Sequence, residues 1–322
     1  MTRKLKTKNK KKTFRIKSKR TNQSKNKSSK KSKSLKHCSP HINSKSKDRL
    51  SCFDNDVLIK LIKAWNKSNP KSKRILIKPM NKLETMSNKQ LWELLTQKMN
   101  EKCNDEICLM KNKKINRKLD KITKKKIRHS IKPLKPKSWD KNSREWLNTV
   151  DIASVMRQYE LKYPSYVFVG PVPIDFDLKN KFNTCMVSNL CKIDLKKLKS
   201  RNINKLGVIF NLDRHDQPGS HWIAMYMSLN DNVIGYWDSY GYKPPSEVIT
   251  LMNKLKEQSL EMGYQPEIKI NKNRHQYKGS ECGVYSMHFI IEQLAGRTFE
   301  DVTETIVSDD DMWKNRQKYF NY

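Results

Sequence analysis

The positive charge of this 322-residue chain is concentrated in its first 144 residues. Residues 1–144 carry 46 Lys and Arg against 10 Asp and Glu, whereas residues 145–322 carry 22 of each. The charge-balanced segment is long enough to bury a core, so we expect it to be an ordinary globular domain. The formal net charge of +36 therefore describes the N-terminal part, and any affinity for polyanions resides there.

The first 47 residues contain no acidic residue and almost no apolar one. Such a segment cannot bury enough surface to offset the entropy of ordering, so residues 1–47 are predicted to be a disordered arm. Two interpretations of the arm stay open. It binds nucleic acid by neutralising phosphates, or an AT-rich genome has filled a solvated segment with Lys and Asn codons. The sequence shows neither a secretory signal peptide nor an apolar run long enough to cross a membrane.

Apolar residues at helical spacing indicate a mainly helical N-terminal domain over residues 48–130. The residues from Phe53 to Trp65 place an apolar face on a first helix, with Ser51 as its expected N-cap. A second amphipathic helix is predicted from Ser87. The proline-containing segment 131–144 is typical of an extended linker.

Residues 145–322 alternate predicted strands with predicted helices. The strands are predicted at 206–212, 222–227, 233–237 and 267–271, the second and third being joined as a hairpin by a tight turn. The helices are predicted at 149–159, 245–262 and 282–294, and a capping box at Thr298 and Asp301 indicates a last one. These elements predict an α+β fold in which helices pack a mixed sheet.

Three residues of this domain have the chemistry that thiol catalysis needs. Cys282 begins an apolar helix, whose unpaired backbone N–H groups favour an anion, and a neighbouring imidazolium would hold it as a thiolate. His221 begins one strand of the predicted hairpin and Asp238 follows the other. Because the distal ends of a hairpin lie side by side, the carboxylate can reach and orient the imidazole.

Two further features favour acyl transfer at this cysteine. Gln276, six residues before Cys282, offers a side-chain amide to an oxyanion, with the Cys282 backbone N–H as the second donor. Gly279 and Gly283 are expected to leave room for a substrate backbone.

The remaining His and Cys residues have plainer interpretations. His215 is an alternative base in an exposed loop, His275 is expected to be an exposed loop residue, and His288 is expected to be structural. Cys103 and Cys108 lack a second ligand pair at zinc spacing, so we expect no metal. Seven cysteines without framework spacing indicate free thiols in a reducing compartment, one of them reactive.

The domain resembles the Ulp1/adenain-like cysteine proteases over residues 145–322. The resemblance is carried by His221-Trp222, by Asp238 in a Tyr-Trp-Asp-Ser run, by Gln276, by Glu281-Cys282-Gly283 and by the opening Trp146-Leu147-Asn148. It implies a Cys282–His221–Asp238 triad, an oxyanion hole served by Gln276, and Trp222 as the aromatic residue beside the base in the substrate cleft. It implies no cofactor.

The same resemblance implies a substrate class. This family cleaves after glycine, at Gly-Gly or Gly-Xaa-Gly sites, because a narrow tunnel excludes side chains near the scissile bond. The basic extension and helical N-terminal domain are similar to the virion-maturation proteases of nucleocytoplasmic large DNA viruses. That branch implies viral structural precursor proteins as substrates, in the virion and at cytoplasmic assembly sites. Two alternatives stay open: an isopeptidase for SUMO or ubiquitin-like modifiers, and a nucleic-acid-binding virion scaffold protein with an inactive protease domain.

Overall fold

The structure, a computed structural model, describes residues 35–42, 49–77, 80–99, 103 and 105–322. Most of the predicted arm, residues 1–34 and 43–47, lies outside the described residues. Within the described ranges the N-terminal α-helices are α1 (Asn55–Ser68), α2 (Asn88–Lys98), α3 (Glu106–Lys111), α4 (Lys113–Asn116) and α5 (Lys121–Ser130). The later ones are α6 (Thr149–Lys162), α7 (Ser188–Cys191), α8 (Leu195–Ser200), α9 (Ser246–Glu261), α10 (Cys282–Leu294), α11 (Phe299–Glu304) and α12 (Asp309–Tyr319). Short 3₁₀ helices lie at Leu35–His37, Lys71–Lys73, Met80–Thr85 and Lys137–Asp140.

Five strands form one mixed sheet whose spatial order follows the sequence. The strands are β1 (Tyr166–Pro173), β2 (Lys205–Asn211), β3 (Trp222–Ser228), β4 (Val233–Trp237) and β5 (Glu267–Ile270). β1 runs parallel to β2 and β5 runs parallel to β4, whereas β2–β3 and β3–β4 are antiparallel. The predicted α+β fold, a mixed sheet packed by helices, is therefore confirmed.

The sequence predictions missed β1. This strand contains the pair Gly170-Pro171, and such pairs usually mark a turn. The pairing of β1 with β2 shifts register between Val169 and Val172, so the strand continues past an irregularity that removes the sequence signal.

The central strand β3 is buried along its whole length because helices cover both faces of the sheet. Trp222, Ala224 and Tyr226 point into a core that also contains residues of α6, α10 and α12. Ile223 and Met225 point the other way, into a core shared with α8 and α9. The alternation follows from the two-residue period of a strand.

The N-terminal helices α1 to α5 enclose a hydrophobic core of their own. Asp54, and not the expected Ser51, caps α1, because its carboxylate accepts a hydrogen bond from the Val57 backbone N–H. α2 begins at Asn88, one residue after the predicted start, and Ser87 is its N-cap. Among the described residues, none of the helices combines the length and apolar character that a membrane crossing demands.

Residues 35–42, which the sequence prediction placed in the disordered arm, pack against this N-terminal unit. Cys38 is buried and forms an isolated β-bridge with Ile131. In the predicted linker, Leu134 forms a second bridge with Asn321, close to the C-terminal end. Both segments therefore contact residues about 90 or more positions away in the chain. A prediction from local composition does not consider such contacts.

The expectation of free thiols is wrong for six of the seven cysteines, all of which the structure describes. These six form three disulfides, namely Cys38–Cys52, Cys103–Cys108 and Cys185–Cys191. The Cα atoms of each pair lie 5.1, 5.4 and 6.3 Å apart, within the range that a disulfide requires. Spacing along the chain did not indicate these pairs, because the fold decides which cysteines come together. Cys282 is free and buried.

Candidate active site

The β3–β4 hairpin brings His221 and Asp238 to the same end of the sheet. His221 immediately precedes β3 and Asp238 immediately follows β4, and Ala224 pairs with Trp237 in the ladder between them. The distance from His221 Nε2 to Asp238 Oδ1 is 2.8 Å. The two side chains are 11% and 2% exposed, so a buried carboxylate holds the imidazole in one orientation.

Cys282 is the first residue of α10, which packs against the sheet face that carries Trp222. Ser286, one turn into α10, donates a hydrogen bond from Oγ to the Trp222 carbonyl oxygen at 3.1 Å, which fixes the start of the helix beside His221. The Cys282 side chain is buried, and it lies close enough to His221 to raise the pKa of the imidazole. Because His221 Nε2 is engaged by Asp238, Nδ1 is the ring nitrogen left for the sulfur.

The surroundings of His221 favour its protonated form. Burial by itself lowers the pKa of His221, but the hydrogen bonds and negative charges of Asp238 and Cys282 outweigh burial and raise the pKa to about 9. An imidazolium therefore stands beside the sulfur at neutral pH, and the N-terminus of the 13-residue α10 adds positive potential. The arrangement places a proton donor beside the sulfur, as thiol catalysis requires.

Gln276 is fully buried in the loop that precedes α10. Its side-chain Oε1 accepts a hydrogen bond from Ser239 Oγ at 2.6 Å, and its Nε2 donates to the Lys278 carbonyl oxygen. The Lys278 carbonyl oxygen can only accept, so its contact fixes which end of the Gln276 amide is the donor. The amide nitrogen carries a second hydrogen for another acceptor. Ser239 is not among the predicted site residues, although its position directly after Asp238 is a signal available in the sequence.

Trp222, expected to line the substrate cleft, lies beneath the site. It is 5% exposed, and its indole N–H donates to the Leu147 carbonyl oxygen at 2.9 Å. A Cβ atom on Gly283 would come within 3.1 Å of Trp222 Cδ1. The expectation that Gly283 leaves room for substrate is therefore wrong, because the space is filled by this indole. Gly279 differs, since no atom lies within 4 Å of its would-be Cβ position.

The other candidate histidines have partners outside this cluster. His275, expected to be exposed, is 1% exposed, and its ring meets the Trp237 ring edge-on at 4.6 Å. The expectation is wrong because the loop after β5 folds back over β4. His215, the alternative base, forms its side-chain hydrogen bond with Asp175 at 2.7 Å. Over the described ranges, no group of three or more His, Cys, Asp or Glu side chains could hold a metal ion.

Two tyrosines and an arginine form a group beside His221. The group consists of Tyr240, Arg274 and Tyr277. The Tyr240 ring centroid lies 4.9 Å from that of His221. The Arg274 guanidinium lies 5.4 Å from the Tyr240 ring and 4.6 Å from the Tyr277 ring. Tyr277 is 68% exposed, so a bound peptide could contact this surface.

Comparison with known proteins identifies the same enzyme class. The model of the Ulp1 protease family, C-terminal catalytic domain, matches residues 189–322. A protein of Acanthamoeba polyphaga mimivirus that carries the name of a thiol protease is 32% identical over 283 residues, which cover 85% of this chain and 90% of that protein. A cysteine protease of African swine fever virus is 27% identical over 190 residues, covering 56% of this chain and 69% of its own.

A solved structure extends the likeness to the fold of nearly the whole chain. The crystal structure of the African swine fever virus protease aligns with a TM-score of 0.60 and 22% sequence identity, and the alignment covers 89% of this chain and 96% of that one. Since relatives of viral origin match over most of their length, and one of them is close in sequence along both chains, this chain belongs to the Ulp1 family of cysteine peptidases.

Proposed function

We propose that the protein is a thiol endopeptidase that cleaves viral structural precursor proteins after glycine during virion maturation. The observation that carries the proposal is the free Cys282 at the N-terminus of α10, beside a His221 that Asp238 orients. The viral origin of the relatives supports the precursor substrates. The family resemblance supports the preference for glycine.

In the proposed mechanism the Cys282 sulfur attacks the scissile carbonyl carbon. The carbonyl oxygen becomes an oxyanion, which the Gln276 side-chain amide and the Cys282 backbone N–H stabilise. The His221 imidazolium then donates its proton to the leaving amine, so the C–N bond breaks and a thioester remains. Neutral His221 takes a proton from water, the resulting hydroxide attacks the thioester, and the thiolate leaves as the imidazolium re-forms.

The experiment that tests the proposal is to incubate the protein with candidate capsid precursors and to identify new C-termini by mass spectrometry. Cys282→Ala protein serves as the control, since it keeps the fold and lacks the sulfur. We expect new C-termini that end in glycine and depend on Cys282. New termini with no preference for glycine would reject the specificity. Intact precursors alongside another cleaved substrate would reject the maturation role.

An isopeptidase acting on SUMO-like modifiers is the second candidate. The observation in its favour is that the relatives in several African swine fever virus isolates are named SUMO-1 cysteine proteases. Modifiers that end in Gly-Gly would suit the same site, so the triad does not separate the two functions. SUMO conjugates therefore belong in the same incubation, and release of free modifier faster than precursor cleavage would favour this candidate.

We also propose that the basic N-terminal part holds the enzyme on nucleic acid in the virion and at cytoplasmic assembly sites. Support comes from charge: residues 1–47 contain no acidic residue, and residues 111–128 contain ten Lys and Arg against one Asp. Binding to duplex DNA of any sequence should weaken steeply as salt rises, because each neutralised phosphate releases counterion. Deleting residues 1–34, which keeps the Cys38–Cys52 disulfide, should remove most of this affinity and spare peptide cleavage. A second variant that also lacks the Lys and Arg residues of 111–128 tests whether that segment masks the effect. Equal DNA binding by the full chain and by both variants would leave the codon-composition interpretation of the arm.

A further inference from the structure

Helix α12 contacts the loop between Gln276 and Cys282 through Asp309, its first residue. Asp309 Oδ2 accepts hydrogen bonds from the backbone N–H groups of Tyr277 at 2.9 Å and Lys278 at 3.0 Å. The Asp309 residue is 6% exposed, so both bonds are shielded from water. A charged acceptor in such a place makes a stronger hydrogen bond than a neutral one.

A second contact comes from Arg316, about two helical turns later in α12. Arg316 Nε lies 2.8 Å from Glu281 Oε2, and both side chains are fully buried. The guanidinium also donates to the carbonyl oxygens of Ser280 at 3.3 Å and Glu145 at 2.6 Å. A buried ion pair requires such additional hydrogen bonds, and here they fix the residues directly before the nucleophile.

The Asp309 carboxylate is not needed to cap its own helix. The N-cap of α12 is Ser308, whose hydroxyl oxygen accepts the hydrogen bond from the Asp311 backbone N–H. Asp310 and Asp311, both exposed, already place negative charge at this helix N-terminus. Asp309 instead accepts from two N–H groups that belong to the loop before α10. Its contacts therefore act on the site and not on the helix.

The link from Asp309 to Gln276 passes through one residue. The Lys278 N–H donates to Asp309, and the Lys278 carbonyl oxygen accepts from the Gln276 side-chain amide. We propose that α12 is a positioning element of the active site, in which Asp309 is the positioning residue for the Gln276 amide. This inference rests on the proposed role of Gln276 as oxyanion donor.

The test compares Asp309→Ala, Asp309→Asn and Asp311→Ala by steady-state cleavage of a peptide that the wild-type full chain cleaves. A misplacement of about 1 Å can cost on the order of 100-fold in rate, so Asp309→Ala should lower kcat roughly 10- to 100-fold with little change in KM. Asp309→Asn keeps a side-chain oxygen for both N–H groups and should restore most of kcat. Asp311→Ala, an exposed acid of the same helix, should behave as wild type.

Two further measurements separate positioning from general damage. The rate at which iodoacetamide alkylates Cys282 should be unchanged in Asp309→Ala, because an oxyanion donor does not act on the resting thiolate. Met312→Ala removes a fully buried side chain from the same helix and should lower the melting temperature without the selective loss of kcat. If Asp309→Ala does not fold, Asp309→Ser replaces it, since its hydroxyl is too short to reach the loop.

A double-mutant cycle with Gln276→Ala tests the route. If Asp309 acts through Gln276, the double variant should be no slower than Gln276→Ala alone. Wild-type kcat in Asp309→Ala, or losses that multiply in the double variant, would overturn the inference. A parallel loss of Cys282 alkylation and of turnover in Asp309→Ala would also overturn the inference. Wild-type kcat in Gln276→Ala would instead reject the oxyanion role that belongs to the proposed function.

Discussion

Replacing Asp238 by Asn should move the alkaline limit of activity to lower pH. The imidazolium of His221 has to persist for the leaving amine to receive its proton, so activity falls as this group deprotonates. In the wild-type protein the pKa of His221 is raised to about 9, against burial, by Asp238 and Cys282. An asparagine keeps the shape and the acceptor oxygen at 2.8 Å but removes the negative charge. The imidazole should therefore stay oriented and lose its proton at lower pH.

The size of the effect follows from the ordinary histidine value of 6.5. A rise from 6.5 to about 9 corresponds to about 3 kcal/mol in favour of the imidazolium, shared between the two partners. Because the pKa is higher in the folded than in the unfolded state, this contribution to stability is complete below pH 6.5. It is lost as the pH rises toward 9. The stability difference between wild type and Asp238→Asn should accordingly be largest near pH 6 and shrink as the pH rises from 6.5 toward 9.

The assay is the pH profile of kcat/KM for a cleavable peptide, combined with urea unfolding between pH 6 and pH 10. We expect a wild-type alkaline midpoint near 9 and a lower midpoint in Asp238→Asn. Identical midpoints in the two proteins, or a wild-type midpoint near 6.5, would refute the electrostatic account of the His221–Asp238 pair. A stability difference that grew with pH would refute the sign of the linkage.

The remaining predictions concern the sulfur and its neighbours. Cys282→Ala should abolish turnover and leave the melting temperature nearly unchanged. In native protein that has not been reduced, iodoacetamide should modify Cys282 alone, because the other six cysteines form disulfides. Gly283→Ala should cost about 1–3 kcal/mol in unfolding free energy and slow turnover, because its Cβ would lie 3.1 Å from Trp222 Cδ1 and displace the start of α10. Gly279→Ala, which meets no atom within 4 Å, is the matched control and should keep wild-type stability by thermal melting.

The β3–β4 hairpin and helix α10 could be predicted from the sequence because their signals are local. A tight turn at 230–232 separates two apolar runs, and that is enough to place the ends of β3 and β4 together. The strand 233–237 and the helix 282–294 were predicted with the bounds that the structure has. The contact between His221 and Asp238 then follows from the geometry of an antiparallel pair.

The supporting residues could not be predicted because they contact the site from distant parts of the chain. Asp309 follows the Tyr277 that it binds by 32 residues, and α12 has charged residues along most of its length with little apolar periodicity. The burial of His275 likewise depends on contacts with Trp237, which is earlier in the chain, and with Thr303, which is later. Neither residue has a local pattern that distinguishes it from an exposed loop residue.

The Cys282-Gly283 pair shows how one local motif serves a non-local requirement. The Cys282 side chain lies beside His221 only if the first turn of α10 lies close to the start of β3. A Cβ atom on Gly283 would lie only 3.1 Å from Trp222, 3.2 Å from Leu147 and 3.3 Å from Ile152. A larger residue would push the helix away from the sheet, and with it the sulfur from the imidazole. The glycine after the cysteine is therefore explained by helix–sheet packing, whereas a Cβ atom at Gly279 would meet no other atom within 4 Å.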